Sequence, residues 1–519
     1  MPRRAPLILV ACLAAALLPT GPTSAHEAEC ARPTLGGSWT RMGNDLQNTR
    51  AQTAEHYLDP LHVAQLRPAW TFDANRWTRG RNNEITGYPI VADGCVYVGS
   101  STGNRAPGWV FAMDADTGDL VWKRHVPDGG VYSTLAVEDG RVFAFVSRID
   151  APYVLALDQA TGKELWKTTV DHQIGSDAVS SPIVYDGMVW VGVSGTAAEG
   201  DESERHGFQG SFSLLDAVTG EVIRKTWAIP PSEWEDGYAG AAMWGTIAID
   251  PETKTGFIGT GNPFDYEDEH DHTNAVVKVD LDRQSPTFGE IVGSYKGDVE
   301  EYFPDLADTL PCEEFEEMED VFVAGFECGN LDLDFGSTPN IFRDSTGRKL
   351  VGAGQKSGVY HVFDPETMEP VYKSLLGFPS PVGGIVGSAA VADGAIYGPH
   401  TVGGYLWSID ADDGALRWVS PTADGIHWGN PVTYANRVVY TVDLKGFLTA
   451  NDSISGAPLL AWPIPLGSET RTDPAITWGG VTVARNSVYA SVGVGLTSAG
   501  LPSMPNGFVV AFLPQTVSL

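Results

Sequence analysis

The sequence predicts an all-β chain folded as an eight-bladed β-propeller. Three observations carry that prediction: a motif recurring eight times, a hairpin pattern preceding many of its copies, and 59 glycines with few convincing helical periods. The motif is an apolar stretch ending in Asp, followed by a Thr-Gly-type turn and often a Trp. Its copies lie mostly ~40–60 residues apart, the span of one four-stranded blade.

In chain order, the first copy is Phe111-Ala112-Met113-Asp114 with Thr117-Gly118 and Trp122. Leu155-Ala156-Leu157-Asp158 with Thr161-Gly162 and Trp166 repeats it, as does Ser213-Leu214-Leu215-Asp216 with Thr219-Gly220. Weaker copies follow at Val279-Asp280 and Phe363-Asp364. Trp407-Ser408-Ile409-Asp410 with Trp418, then Thr449-Ala450-Asn451-Asp452 with Trp462, restore the full form. Val509-Val510-Ala511-Phe512 closes the series without a following strand. An N-terminal strand near Leu66 to Phe72 is therefore expected to complete the last blade, since closing the ring removes exposed sheet edges. The hairpin pattern places Asp93-Gly94, Asp186-Gly187 and Asp393-Gly394 between alternating β-branched and aromatic residues, which reads as strand, tight turn, strand. The repeated Trp and Asp residues are read as structural, tryptophans filling gaps between blades and aspartates tying off turns.

The N-terminus reads as an export signal over residues 1–25. Arg3 and Arg4 precede an apolar run to Leu18 and a small-residue cleavage site at Ala25, leaving residues 26–519 as one propeller. Leu9-Val10-Ala11-Cys12 leaves a lipoprotein alternative open. No later run is long enough for a membrane span, and the mature chain is expected to be secreted or periplasmic. In that oxidising compartment Cys30, Cys95, Cys312 and Cys328 suggest disulfides, with proximity favouring Cys312 with Cys328 and leaving Cys30 for Cys95; buried free thiols are the alternative. The chain has no Cys-x-x-Cys-His, so no c-type haem is expected on it. A net charge of −33 argues against nucleic acid as a partner. Two stretches break the blade rhythm, near 199–210 and 299–329. Both are acidic and suited to the rim of a channel, or else are merely solvated loops.

The repeat, with Trp39-Thr40-Arg41-Met42-Gly43-Asn44 and Leu66-Arg67-Pro68-Ala69-Trp70, resembles the quinoprotein alcohol dehydrogenases, nearest their polyvinyl-alcohol dehydrogenase branch, over residues 35–515. The resemblance implies pyrroloquinoline quinone, a Ca²⁺ ion with a lanthanide as the alternative, and oxidation of an alcohol, secondary or polymeric such as polyvinyl alcohol. Electrons would pass to a separate acceptor such as a cytochrome c or a quinone. Met243-Trp244-Gly245-Thr246 and Gly259-Thr260-Gly261-Asn262-Pro263 match the segments where the family places an aromatic floor under the quinone and an amide oxygen on the metal. Asn330-Leu331-Asp332-Leu333-Asp334-Phe335-Gly336-Ser337 matches the catalytic segment: Asp332 falls at the general base, Asp334 where some relatives carry an extra carboxylate for a lanthanide. Lys356, in Gly354-Gln355-Lys356-Ser357-Gly358, stands where the family presents a cation to a quinone oxygen. Further carry-overs give Glu84, Arg105, Ser180, Ser181, Trp428 and Asn430 as quinone contacts. Two departures stand out. Gly99-Ser100-Ser101-Thr102 replaces the adjacent-cysteine roof of many members, and Ala197 stands where a metal-binding Glu is expected, leaving Glu199 as the nearest carboxylate. The rival reading is a non-catalytic propeller, a scaffold or binding protein that has lost the cofactor.

Overall fold

The computed structural model describes residues 36–79, 83–102, 107–195, 198, 207–264, 269–299, 301–302, 333–377, 379, 383–422, 427, 429–464, 478–493 and 507–515. The predicted export signal, most of both acidic stretches, and Cys30, Cys312 and Cys328 lie outside them. Cys95 is disulfide-bonded. No helix among the described residues is long and apolar enough to cross a membrane.

Eight sheets follow one another around the ring, each built on four antiparallel strands in blade order, with Asn83–Glu84 added to the first and the parallel Ala51–Gln52 to the seventh. The predicted motif copies are the third strands: Gly108–Asp114, Tyr153–Asp158, Ser211–Asp216, Ala275–Asp280, Val359–Phe363, Tyr405–Asp410, Phe447–Asp452 and Phe508–Pro514. Between first and second strands, Asp93-Gly94, Asp139-Gly140, Asp186-Gly187 and Asp393-Gly394 all take positive φ, from 48° to 83°. A two-residue turn with both central residues left-handed matches the right-handed twist of the flanking strands. The motif aspartates cap the next turn as expected; Asp216 Oδ1, for example, accepts from the backbone N–H of Val218 and Thr219. Leu66–Asp73 pairs antiparallel with Phe508–Pro514 and closes the ring as the outer strand of the eighth blade.

Neighbouring sheets bury their faces against each other, so the core lies in the seams. One cluster joins Tyr97, Val110, Ala112 and Trp122 of the first blade to Val142, Ala144 and Leu155 of the second. Several seams are stitched at their outer edge by an indole. Trp70 lies on Gly118, Trp122 on Gly162, Trp166 on Gly220 and Trp418 on Gly456. Each indole N–H donates to a backbone carbonyl of the adjoining blade, at 2.9 to 3.3 Å.

Residues 36–52 wind once around the inside of the ring and bond to the innermost strand of every blade. Gly36 accepts from Arg485 of the eighth blade, Trp39 pairs with Val91 of the first, and Thr40 accepts from Val137 of the second. Arg41 donates to Val184 of the third. Leu46, Gln47, Thr49 and Arg50 then accept from Ile249, Ile341, Val391 and Tyr434 of the fourth to seventh, and Gln52 returns to Val483 of the eighth. These contacts lie level with the first strands. The loops entering those strands and the loops joining second to third strands are left at the opposite end, and there the predicted site residues fall.

Candidate functional site

Three of the predicted residues meet at that end, on the fourth and fifth blades. Trp244 precedes the first strand of the fourth blade, Asp334 precedes that of the fifth, and Lys356 follows the second strand of the fifth, Lys349–Gly354. Asp334 Oδ2 accepts from Trp244 Nε1 at 2.9 Å and from Lys356 Nζ at 3.2 Å. The ammonium also stands 5.3 Å from the Trp244 ring centre. The backbone closes the triangle, since the Lys356 N–H donates to the Asp334 carbonyl at 3.0 Å. The Lys356 and Asp334 side chains are only 13% and 5% exposed, so this ion pair is screened weakly by water.

Glycines let these groups approach. A Cβ on Gly336 would come within 2.4 Å of the Trp244 ring, and one on Gly383 within 2.7 Å of Lys356 Cγ. Asn262 follows the second strand of the fourth blade, beside Trp244: Gly261 N–H donates to Ala242 O and Ala241 N–H to Asn262 O. The Phe335 N–H reaches Thr260 O at 3.4 Å, so the Asn262 loop and the Asp334 segment are neighbours.

Glu84 approaches from the first blade, where Asn83–Glu84 pairs with Ser101 and Thr102. It is 1% exposed, and neither carboxyl oxygen has a hydrogen-bond partner in the structure. Burial without compensation pushes its pKa from 4.5 to about 7. Ser100 and Ser101, where an adjacent-cysteine roof is absent, continue the strand Cys95–Thr102 and are buried.

Both predicted serines make bonds within the ring. Ser180 Oγ donates to Gly192 O at 2.8 Å and accepts from Gly192 N, and Ser337 bonds Gly354 in the same way two blades on. Ser181 Oγ accepts from the Thr134 N–H, while its own N–H donates to Thr246. Ser181 sits in a chain of inter-blade bonds that includes Tyr88 to Thr134 and Thr338 to Ser388, whereas the Ser180 bonds stay within the third blade. Asn430 is buried and donates to Gly479 O at 2.8 Å, joining the seventh blade to the eighth. Arg105, Glu199, Asp332 and Trp428 lie outside the described residues. Among the described residues, no three His, Cys, Asp or Glu side chains gather as a metal cage.

Sequence reasoning passed over Gly336 and Gly383, and also the buried chain of Tyr295, His361 and Gln355 behind Lys356. The glycines carry no signal until the ring beside them is placed. The chain joins residues from two blades.

A family model described as outer membrane protein assembly factor BamB matches residues 67–193 and 106–227. A polyvinyl alcohol dehydrogenase of Sphingopyxis sp. (strain 113P3) is 25% identical across 88% of this chain and 72% of its own length. A quinohemoprotein alcohol dehydrogenase of Comamonas testosteroni is 29% identical over 50% of this chain and 40% of its own length. The crystal structure of the Comamonas testosteroni quinohemoprotein alcohol dehydrogenase shares the fold with TM-score 0.67 at 19% identity, covering 95% of this chain and 83% of that one. A europium-containing methanol dehydrogenase shares it at 0.68 and 16%, covering 92% and 98%. In sequence over most of its length, and in its eight-bladed fold, the chain is thus similar to the quinoprotein alcohol dehydrogenases, the polyvinyl alcohol dehydrogenases among them.

Proposed function

We propose that the chain is an exported, pyrroloquinoline quinone-dependent dehydrogenase that oxidises a secondary or polymeric alcohol, such as polyvinyl alcohol, to a ketone. The observation that carries this reading is the cluster of Trp244, Asp334 and Lys356, an aromatic ring, a carboxylate and a cation in one shielded site. The residues fit the quinone. Trp244 offers a flat ring, Lys356 a cation for a carbonyl oxygen, and Glu84, its oxygens buried and unpartnered, a polar group still to be satisfied. Asn262 and Asp334 offer the oxygen donors that a Ca²⁺ or lanthanide ion prefers, with Asp332 and Glu199 as further ligands.

When bound, the quinone supplies a two-electron acceptor. Lys356 holds positive charge where negative charge would grow on a carbonyl oxygen. Asp334 fixes the ammonium and the indole N–H together through one oxygen. Asp332 takes the alcohol's hydroxyl proton on its carboxylate. The electrons then leave to an external acceptor, a cytochrome c or a quinone. The scaffold alternative has support only from the blades: the matched stretch ends at residue 227, before any member of the cluster.

Metal-free protein titrated with pyrroloquinoline quinone and Ca²⁺ or a lanthanide, with dye reduction on primary, secondary and polymeric alcohols, tests the reading. Activity that needs quinone and metal and disappears in Asp332→Ala is expected. No quinone binding with any metal would favour the scaffold.

A further inference from the structure

Behind Lys356 the fourth and fifth blades are joined by a buried polar chain that the proposed chemistry leaves unused. His361 lies on the third strand of the fifth blade and is fully buried. Its Nδ1 is 2.9 Å from the hydroxyl of Tyr295, on the outer strand of the fourth blade, and its Nε2 is 3.1 Å from Gln355 Oε1. The proton positions follow from the partners. Gln355 Nε2 donates to Gly297 O at 3.0 Å, and Ser357 Oγ donates to Gln355 Oε1 at 2.6 Å, so that oxygen only accepts. His361 therefore carries its proton on Nε2, and Nδ1 accepts from the Tyr295 hydroxyl. A neutral imidazole completes every bond, and burial lowers the His361 pKa to about 3, far below any working pH.

The chain touches both segments of the site. Gln355 is the residue before Lys356, and its backbone is held by Val359 and Ile385. Phe335, between Asp334 and Gly336, meets His361 edge-on at 5.2 Å and Tyr295 at 6.3 Å. Gly297 leaves room for both: a Cβ there would lie 2.3 Å from Gln355 Nε2 and 2.5 Å from the Phe335 ring. We infer that His361 is a positioning residue, which through Gln355 and Phe335 fixes the Lys356 ammonium over Trp244 and beside Asp334. The inference rests on the reading of Lys356 and Trp244 as quinone contacts.

The test compares His361→Phe, which fills the space without polar atoms, with His361→Gln, which restores a donor. Quinone affinity is followed by tryptophan quenching, kcat and KM by dye reduction, and folding by circular dichroism. Small displacements of positioning groups cost roughly tenfold to a hundredfold in rate, so His361→Phe is expected to lose roughly tenfold in quinone affinity and kcat at unchanged alcohol KM. His361→Gln should recover most of both. Wild-type affinity and kcat in a folded His361→Phe would overturn the inference. Should that variant not fold, Tyr295→Phe, which deletes one hydroxyl from the chain, takes its place with the same two outcomes. Should the wild type bind no quinone, the functional reading fails, and the reactivity of Lys356 toward an amine reagent decides by itself. Faster labelling in His361→Phe, with Lys349 unchanged, sustains the positioning role, and equal labelling overturns it.

Discussion

Two arcs of the ring are sewn differently. At four seams, from the eighth blade to the third and from the sixth to the seventh, a Trp on the outer strand lies on the next blade's turn glycine. From the third blade to the fifth the corresponding outer-strand positions are Arg224, Gly293 and Tyr372. Arg224 lies on Gly289, and Met368 of the fifth blade reaches back toward Gly293. Only Tyr372 imitates the indole, lying against Gly414 and donating to Ala411 O at 2.9 Å. The arc whose stitching positions hold no tryptophan is the one that carries Trp244, Asn262, Asp334 and Lys356. There the fourth and fifth blades are joined by Tyr295 with His361 and by Trp244 with Asp334, which also holds Lys356. The difference teaches that outer stitching serves stability, while the other arc relies on polar contacts that also place the groups proposed to meet the quinone.

Truncating a stitch should separate the arcs most sharply. Trp122→Ala removes a mostly buried indole and its bond to Gln159, and is expected to cost about 3–5 kcal/mol in denaturant unfolding. Arg224→Ala removes a half-exposed side chain whose ion pair with Glu290 spans 3.0 Å, and should cost under about 1 kcal/mol. Equal losses would show that the arginine bears as much of its seam as the tryptophan.

In the other arc the expected loss is in activity. Lys356→Ala should lower quinone-dependent kcat by roughly 10²–10³-fold, about 3–4 kcal/mol of lost charge stabilisation, at near-native circular dichroism. It also strands the buried Asp334 carboxylate, so Lys356→Met with Asp334→Asn is the control: it restores stability and leaves activity low.

Across the channel, Glu84 supplies a pH signature. Folding raises its pKa from 4.5 to about 7, so the folded state holds a proton that the unfolded state has released between those values. Stability from this group is therefore full below pH 4.5 and falls as pH rises through 7, by up to about 3 kcal/mol in the cofactor-free protein. Glu84→Gln should flatten that slope in melting curves taken from pH 4.5 to 8. An unchanged slope would place the titration elsewhere.

What could be read from the sequence follows the same division. The blades were legible because each repeats one set of demands: an apolar third strand, an Asp that caps, a glycine that turns. The closing strand Leu66–Asp73 followed from counting, since the last copy had no partner. Trp244, Asp334 and Lys356 stood out only through the resemblance of their segments to those of the quinoprotein alcohol dehydrogenases. The winding of residues 36–52 was hidden, because most of its bonds are backbone contacts to distant strands, which no side-chain pattern encodes. His361 was hidden for a related reason. It occupies an apolar position of a weak motif copy, and its partners come from another blade.

Ser180 shows how the repeat bears on a site assignment. Ser180-Ser181-Pro182 recurs as Ser337-Thr338-Pro339, and both leading hydroxyls bond a glycine in the last two residues of a second strand. A residue whose bonds recur blade after blade is explained by the ring before any ligand is invoked. Ser180→Ala and Ser337→Ala should therefore behave alike, each losing about 1 kcal/mol of stability through one buried hydrogen-bond pair. Neither should change quinone affinity by more than the scatter of a fluorescence titration. A selective loss of affinity in Ser180→Ala would place that hydroxyl on the cofactor and break the rule that residues whose bonds recur between blades build the ring.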